Sequence, residues 1–431
     1  MSGRVPRAGR RPLVLRNPAF GRVWAGQLLT QAASRMFQVG AVWWLVGFAS
    51  GGGHRGFDSG LFLMVSTLPA VALAPAVARI VAAWAHRTVL AGAAGVAGAV
   101  AAAAAVAERA GALPMAAVFA VGLALAACQA VFDPCLTTSV PELVQDADIE
   151  AATGFELSTQ SVAGLAGGLL GPLVVDSGAL SGVIACCAAA YLLAALLIVS
   201  VRFPRAAAPE QDPASDPAPR RRTLRQILAS LPFIRRALLC FAAANVFTTA
   251  VYVVMPLYTR GVLGSTGSTV ALLEAALGAG TLVGSFTGAR LPGRPVAVGS
   301  VCLAVMAVAL ALPGLVADRV VALGALGAVG WCVGVIGVRF VALFQRMVPA
   351  GDKPGFFAVM QALLGATFPL SSLVFGVLGD HLTARSLCLV QGAGLVPVAL
   401  ALWWLCGRAG GDGAQAPADA APALAAAGEP S

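Results

Sequence analysis

The sequence predicts an all-α membrane protein, with twelve transmembrane helices in two pseudo-symmetric six-helix bundles. Three observations predict it. The 431 residues are 59% hydrophobic and 11% charged, against about 25% charged in a soluble domain, and mean hydropathy is +0.86. Apolar runs of about 20 residues, long enough to cross a bilayer, recur six times on each side of one polar stretch. Basic residues then sort by side. With a cytoplasmic N-terminus, the cytoplasmic segments carry 21 of the 28 arginines and lysines, and the outer segments carry five: Arg55, Arg109, Arg260, Arg319 and Arg385. Arg35 and Arg339 fall inside spans. Positive charge retained on one side is the expected bias of a cytoplasmic face, so both termini are expected to be cytoplasmic.

The elements follow in order. Residues 1–20 form a basic arm with Arg4, Arg7, Arg10, Arg11 and Arg16. It lacks the short apolar region and cleavage site of a signal peptide. The first bundle, 21–201, has spans at 22–48, 59–81, 88–107, 112–134, 153–175 and 179–201. Residues 202–235 are rich in proline, alanine and charge and predict a flexible cytoplasmic linker. The second bundle, 236–406, has spans at 236–260, 268–289, 295–314, 320–345, 355–379 and 384–406. The tail 407–431 is rich in Ala, Pro and Gly and predicts a disordered cytoplasmic end. The halves echo each other, since Val140-Pro141 after the fourth span matches Val348-Pro349 after the tenth. Such an internal repeat is common in transporters. Trp24, Trp43, Trp44, Trp84, Trp403 and Trp404 lie near span ends, where aromatic belts form.

Composition also excludes. The net charge of +9 could suggest nucleic acid, but the surplus is arginine flanking the membrane. The nine cysteines form no CxxC motif and mostly lie within spans, so they read as small core residues. There is no metal-ligand spacing, nucleophile elbow or phosphate-binding glycine loop, so no enzyme activity, cofactor or resident metal is expected. The run Glu142, Asp146, Asp148 and Glu150 is read as a solvated loop rather than a metal site.

The polar residues inside spans carry the functional expectation. In span 1, Gln27, Gln31, Ser34, Arg35 and Gln38 share one helical face. An arginine and three glutamines facing lipid would be costly, so this face predicts a cavity wall, with Gln27, Gln31, Arg35 and Gln38 as substrate contacts. Asn245 in span 7 and Gln361 in span 11 could add hydrogen bonds to a ligand. Glu274 is the only acid well inside a span of the second half. A carboxylate in partly apolar surroundings can load and release a proton, and Glu156 and Asp133, at the inner ends of spans 5 and 4, are alternatives. Arg339 in span 10 is expected to pair with Asp133 or Glu156 across the halves when the cytoplasmic side closes. Gly280, Gly284 and Gly288 form a small-residue packing face.

Three stretches carry a family resemblance: RNPAFGRVWAGQLLTQ…FQVGAVWW at the start, FDPCLTTSVPELV at span 4, and FQRMVPAGDKPGFFAVMQALLGATFPLSSLVFGVLGD near the end. With two six-span halves, the chain resembles the major facilitator superfamily, in wording close to the branch of macrolide and enterobactin-type exporters. The family's loop between spans 2 and 3 usually carries Gly-x-x-x-Asp-Arg-x-x-Arg-Arg. Here His86 and Arg87 match its basic end, while Ala78 and Ala82 replace the Gly and Asp; Arg87 is thereby implied in gating. Gly167, Gly171 and Pro172 match part of the antiporter signature of span 5, and Ser34 stands where exporters of this branch often carry an acid.

The resemblance implies alternating access by a monomer in a bacterial cytoplasmic (inner) membrane. The partners implied are a small-molecule substrate, protons and the lipid bilayer, without nucleic acid. The expected function is proton-coupled efflux of an amphipathic small molecule such as a drug, a macrolide-like compound or a siderophore. Two other readings fit the same residues: import of an anionic molecule held by Arg35 and Arg339, and a non-transporting sensor or scaffold.

Overall fold

The computed structural model describes residues 13–49, 54–111, 113–145, 148–203, 232–348 and 353–412. The arm before residue 13, the linker 204–231 and the tail from 413 lie outside the described residues, as do the side chains of Glu150 and Glu156. Every regular element among the described residues is helical.

After a single turn, α1 (Leu13–Arg16), span 1 is α2 (Pro18–Trp44), continued by a π-helical turn over Leu45–Ala49. Asn17 starts α2 by accepting from the amides of Ala19 and Phe20, with Pro18 at the first helical position. Its side-chain Nδ2 donates to the Leu143 carbonyl at 2.7 Å, which ties span 1 to the end of span 4. Span 2 is broken into α3 (Arg55–Ala72) and α4 (Ala74–Ala83), bent by 50°. Pro69 lies inside α3 and Pro75 opens α4, and each proline removes an amide donor from the helical ladder. Spans 3 and 4 are α5 (His86–Arg109) and α6 (Met115–Leu143).

Residues Ile149–Val199 are helical throughout as α7, yet they supply two spans. Along α2, Gly167 and Gly171 lie against Ala32 and Met36, whereas Val183 and Ile198 lie against Gly40 and Gly26. The two arms therefore run in opposite directions, and the chain reverses between Gly171 and Val183. The second bundle holds α8 (Pro232–Thr249) and α9 (Val251–Gly261) as span 7, then α10 (Gly267–Gly288), α11 (Pro295–Leu315), α12 (Arg319–Met347), α13 (Lys353–His381) and α14 (Ala384–Asp412). Among the described residues, nine helices are long and apolar enough to cross a bilayer, and the bent α3–α4 pair makes a tenth. The two further spans are α2 and the first arm of α7. Both are diluted by polar residues, the glutamine face in α2 and Thr153 to Ser161 in α7.

Small residues set the helix spacing. An added Cβ at Gly288 would stand 3.0 Å from Val335 Cα, and one at Gly284 would stand 2.8 Å from the Trp331 carbonyl carbon, so the glycine face of α10 is the surface on which α12 packs. Trp84, Trp403 and Trp404 are more than half exposed, as belt residues should be, whereas Trp43 is fully buried. Trp43 is therefore corrected from a belt residue to a structural one.

The bundles meet unequally at their two ends. At the end opposite the termini, one apolar core joins Phe37, Trp43 and Phe62 of the first bundle to Val253 and Val270 of the second. At the end that bears Leu13 and Phe203, the described core draws only on the first bundle, with Phe20, Leu90, Phe132 and Ile198. The molecule is thus closed at the end far from its termini.

Candidate functional site

Of the polar face of α2, Arg35 and Gln38 stand at the interface between bundles. Arg35 Nη2 meets Glu274 Oε2 of α10 at 3.0 Å, and Nη1 donates to Gln38 Oε1 at 2.7 Å. Its guanidinium also lies over the Tyr252 ring of α9, 4.5 Å from the centroid, within cation–π range. The side chains of Arg35 and Glu274 are 20% and 18% exposed, so the pair is partly dried but still reachable. It borders a cavity of about 220 Å³, lined also by Leu165, Leu277, Gly278 and Thr281. Glycine makes this approach possible. An added Cβ at Gly167 would stand 2.8 Å from Arg35 Cβ, and one at Gly168 would stand 3.3 Å from Glu274 Oε2.

A second cavity, of about 280 Å³, lies within the second bundle between α8, α11, α12 and α13. Phe241, Met306, Phe340 and Met360 line it, with Asn245 and Gln361 as polar groups. Asn245 donates to the Leu364 carbonyl at 3.0 Å and to Thr367 Oγ1 at 2.6 Å. Asn245 and Gln361 therefore border one apolar cavity, distinct from the Arg35 cavity.

The remaining expected residues are placed elsewhere. Gln31 and Gln129 donate to Asp133 Oδ1 at 3.2 and 2.7 Å inside the first bundle. Gln27 is buried in α2. Arg339 donates to the Gly293 carbonyl at 2.7 Å, in the loop between spans 8 and 9. Arg87 donates to the Val199 carbonyl and so joins span 3 to span 6 within one bundle. In this conformation neither arginine's hydrogen bond crosses between bundles. Glu156 has no described side chain. The loop acids are not simply solvated: Glu142 meets His86 Nδ1 at 2.8 Å, and Asp148 meets Arg16 at 2.6 Å.

Two acids that join the bundles carry no expectation from the sequence. Asp176, at the bend of α7, accepts from Trp43 Nε1 at 2.8 Å and from the Gly267 amide at 2.6 Å, so it caps the start of α10 across the bundle interface. Asp380, near the end of α13, accepts from the Gly56 and Phe57 amides at 2.8 and 3.3 Å and so caps the start of α3. His54 stands 3.4 Å from the same carboxylate. Span 5 grips span 8, and span 11 grips span 2. The relation is the same with the bundles exchanged. A carboxylate on free helix N-terminal amides is favoured by hydrogen bonds and by the helix dipole. The available signal was an acid at the end of an otherwise apolar span.

A family model described as Major Facilitator Superfamily matches residues 23–351. No curated protein matches the chain. Among solved structures, the chain is similar to a bacterial homologue of the human lysosomal transporter Spinster, inward-facing and occupied, at 13% identity, with 93% of this chain and 98% of that chain covered and a TM-score of 0.71. It is similar to an auto-inhibited POT family peptide transporter at 12% identity, covering 91% and 97%, with a TM-score of 0.69. It is also similar to a bacterial homologue of the iron transporter ferroportin in an inward-facing state, at 13% identity, covering 91% and 99%, with a TM-score of 0.68. At such identities these structures establish the fold alone. The family match extends over most of the chain, and with two six-span bundles joined across a charged central contact it leads to one conclusion: this protein is a membrane transporter of the Major Facilitator Superfamily.

Proposed function

We propose that this transporter exports an amphipathic small molecule in exchange for protons, by alternating access across a bacterial cytoplasmic membrane. The observation that carries the reading is the Arg35–Glu274 pair, which joins the bundles beside a cavity. At an effective dielectric of about 20, two charges about 3 Å apart attract by roughly 5 kcal/mol before desolvation is subtracted. Protonating Glu274 removes that attraction and leaves Arg35 to a substrate group or to Gln38. A conformational equilibrium biased by a few kcal/mol changes state under such a step. Glu274 is therefore the proton-exchanging acid in this reading, and Arg35 and Gln38 are the polar substrate contacts. The Phe- and Met-lined cavity with Asn245 and Gln361 at its edge suits the apolar part of the same molecule. With the termini cytoplasmic, as the arginine distribution implies, the conformation described is the inward-facing one.

Import of an anion is a second reading. The placement of Arg35 at a cavity wall favours it, because an anion could replace Glu274 there. Direction of flux separates the two. A macrolide, a cationic dye and a catechol siderophore would each be followed in cells lacking their own pumps, with and without a proton uncoupler. Uncoupler-sensitive lowering of accumulation by the wild-type chain supports export. Raised accumulation of the siderophore alone would replace it with import.

A further inference from the structure

Three arginines gather where span 6 ends. Arg22 of α2 donates to the Ser200 carbonyl at 3.4 Å, and Arg87 of α5 donates to the Val199 carbonyl. Arg202 follows two residues after Ser200. Two of the three thus hold the last carbonyls of α7, where the helix dipole favours cations. All three residues are exposed. Among the described residues, none of them meets a carboxylate, and Arg202 has no hydrogen-bond partner either.

Beside them lies a cavity of about 620 Å³. Its wall combines the charges of Arg87 and Arg202 with the apolar surface of Val81, Trp84 and Phe203. Its one acid, Glu142, already faces His86 Nδ1 at 2.8 Å. The level is that of lipid head groups. Arg87 is the second residue of α5, and Arg202 stands three residues past Val199, the last residue of α7. Trp84 is 63% exposed there, as suits a ring that meets acyl chains on one side and water on the other. A guanidinium binds phosphate oxygens through paired donors. Two such groups beside an apolar wall therefore fit a ligand that joins a phosphate to an apolar body. A soluble anion would use the arginines and leave the tryptophan uncovered. With the termini cytoplasmic, as the arginine distribution implies, this end meets the leaflet whose anionic lipids are bound by basic pockets between spans.

We infer that this cavity binds the phosphate of an anionic phospholipid of the cytoplasmic leaflet, held by Arg87 and Arg202, with Trp84 and Val81 against its glycerol and upper acyl carbons. The site is separate from the Arg35–Glu274 pair and does not depend on what is transported. Its lining comes from the junction of α4 with α5 and from the chain just after α7. A bound lipid therefore joins the loop between spans 2 and 3 to the end of span 6.

The test needs no substrate. Thermal unfolding of the purified full-length protein would be followed in phosphatidylcholine nanodiscs with a rising fraction of phosphatidylglycerol. A saturable rise in Tm is expected. Arg202→Gln should raise the half-saturating fraction roughly tenfold, as one lost contact of about 1.4 kcal/mol requires. Arg290→Gln removes an exposed arginine just past the end of α10 in the second bundle, and it should leave the half-saturating fraction unchanged. Glycerol phosphate added to nanodiscs of phosphatidylcholine alone should give no rise. Equal weakening by the two variants would overturn the proposal, because the lipid would then answer to the basic surface as a whole. A wild type that does not respond to phosphatidylglycerol, or an Arg202→Gln variant that responds as the wild type does, would also overturn it. A full rise with glycerol phosphate would replace the lipid with a soluble phosphate.

Discussion

The middle and the far end of the bundle interface are held by different chemistry. In the middle, Arg35 meets Glu274, charge to charge, at a cavity wall. At the far end, Asp176 and Asp380 rest on the backbone amides that begin α10 and α3. An ion pair can be undone by one proton or by a competing ion. A carboxylate capping a helix start is one of several contacts there, beside glycine-spaced backbone packing. Gly56 and Gly60 of α3 face Gly376 and Gly379 of α13, where an added Cβ would meet backbone at about 2.8 Å. On the proposed reading, switching belongs to the middle and holding to the end.

The sharpest way to break the contrast is Arg35→Ala. It strands Glu274 in a partly buried site, and removing one partner of a buried pair costs about 3–5 kcal/mol. Transport should fall by on the order of 100-fold or more. Lysine should restore only part of it, since it cannot fork to Gln38 and Glu274 while stacking on Tyr252. Flux measurements on both variants check this. Recovery to wild-type rate with lysine would reduce Arg35 to a bare positive charge.

Next comes Gly60→Val. Its side chain would enter the contact between α3 and α13, so the far end should no longer close. Labels placed at the far ends of α3 and α13 should report a longer distance by electron spin resonance. An unchanged distance would mean that the glycines do not set the closure.

The double change Asp176→Asn with Asp380→Asn should act more mildly. Each cap loses its charge and keeps an acceptor, a loss of about 1 kcal/mol per cap. The pair of changes should shift the closed population roughly 10- to 30-fold toward opening at the far end, as thiol labelling from that side would measure. Equal labelling in wild type and double variant would remove the caps from the holding role. The smallest effect belongs to Tyr252→Phe, which keeps the ring face under Arg35. Transport should change by less than about threefold, while Tyr252→Leu should lose the cation–π contact of about 0.5–2 kcal/mol.

What the sequence could show follows from geometry. The polar stripe with Arg35 was legible because helical periodicity exposes it in an apolar run, but Gln31 turns to Asp133 within the first bundle and Gln27 is buried. Glu274 was legible as an acid inside a span. Their meeting was not, because span positions give depth but not which helices lie side by side. Tyr252 carries no signal among other aromatics of apolar spans. Trp43 was misread for a related reason: depth alone places it at an interface, and only the neighbouring Asp176 shows that its indole is buried and bonded. The expected partnership of Arg339 with Asp133 or Glu156 concerned the opposite closure, and here Arg339 holds the Gly293 carbonyl instead.

The account turns on one measurement. Proteoliposomes with wild type or Glu274→Gln would be loaded with the compound that the cell panel identifies. Exchange without a gradient and accumulation driven by a pH gradient would then be measured side by side. The account predicts that Glu274→Gln keeps exchange and loses gradient-driven accumulation. Gradient-driven accumulation at the wild-type level in Glu274→Gln would contradict it, and the proton would then have to be carried elsewhere.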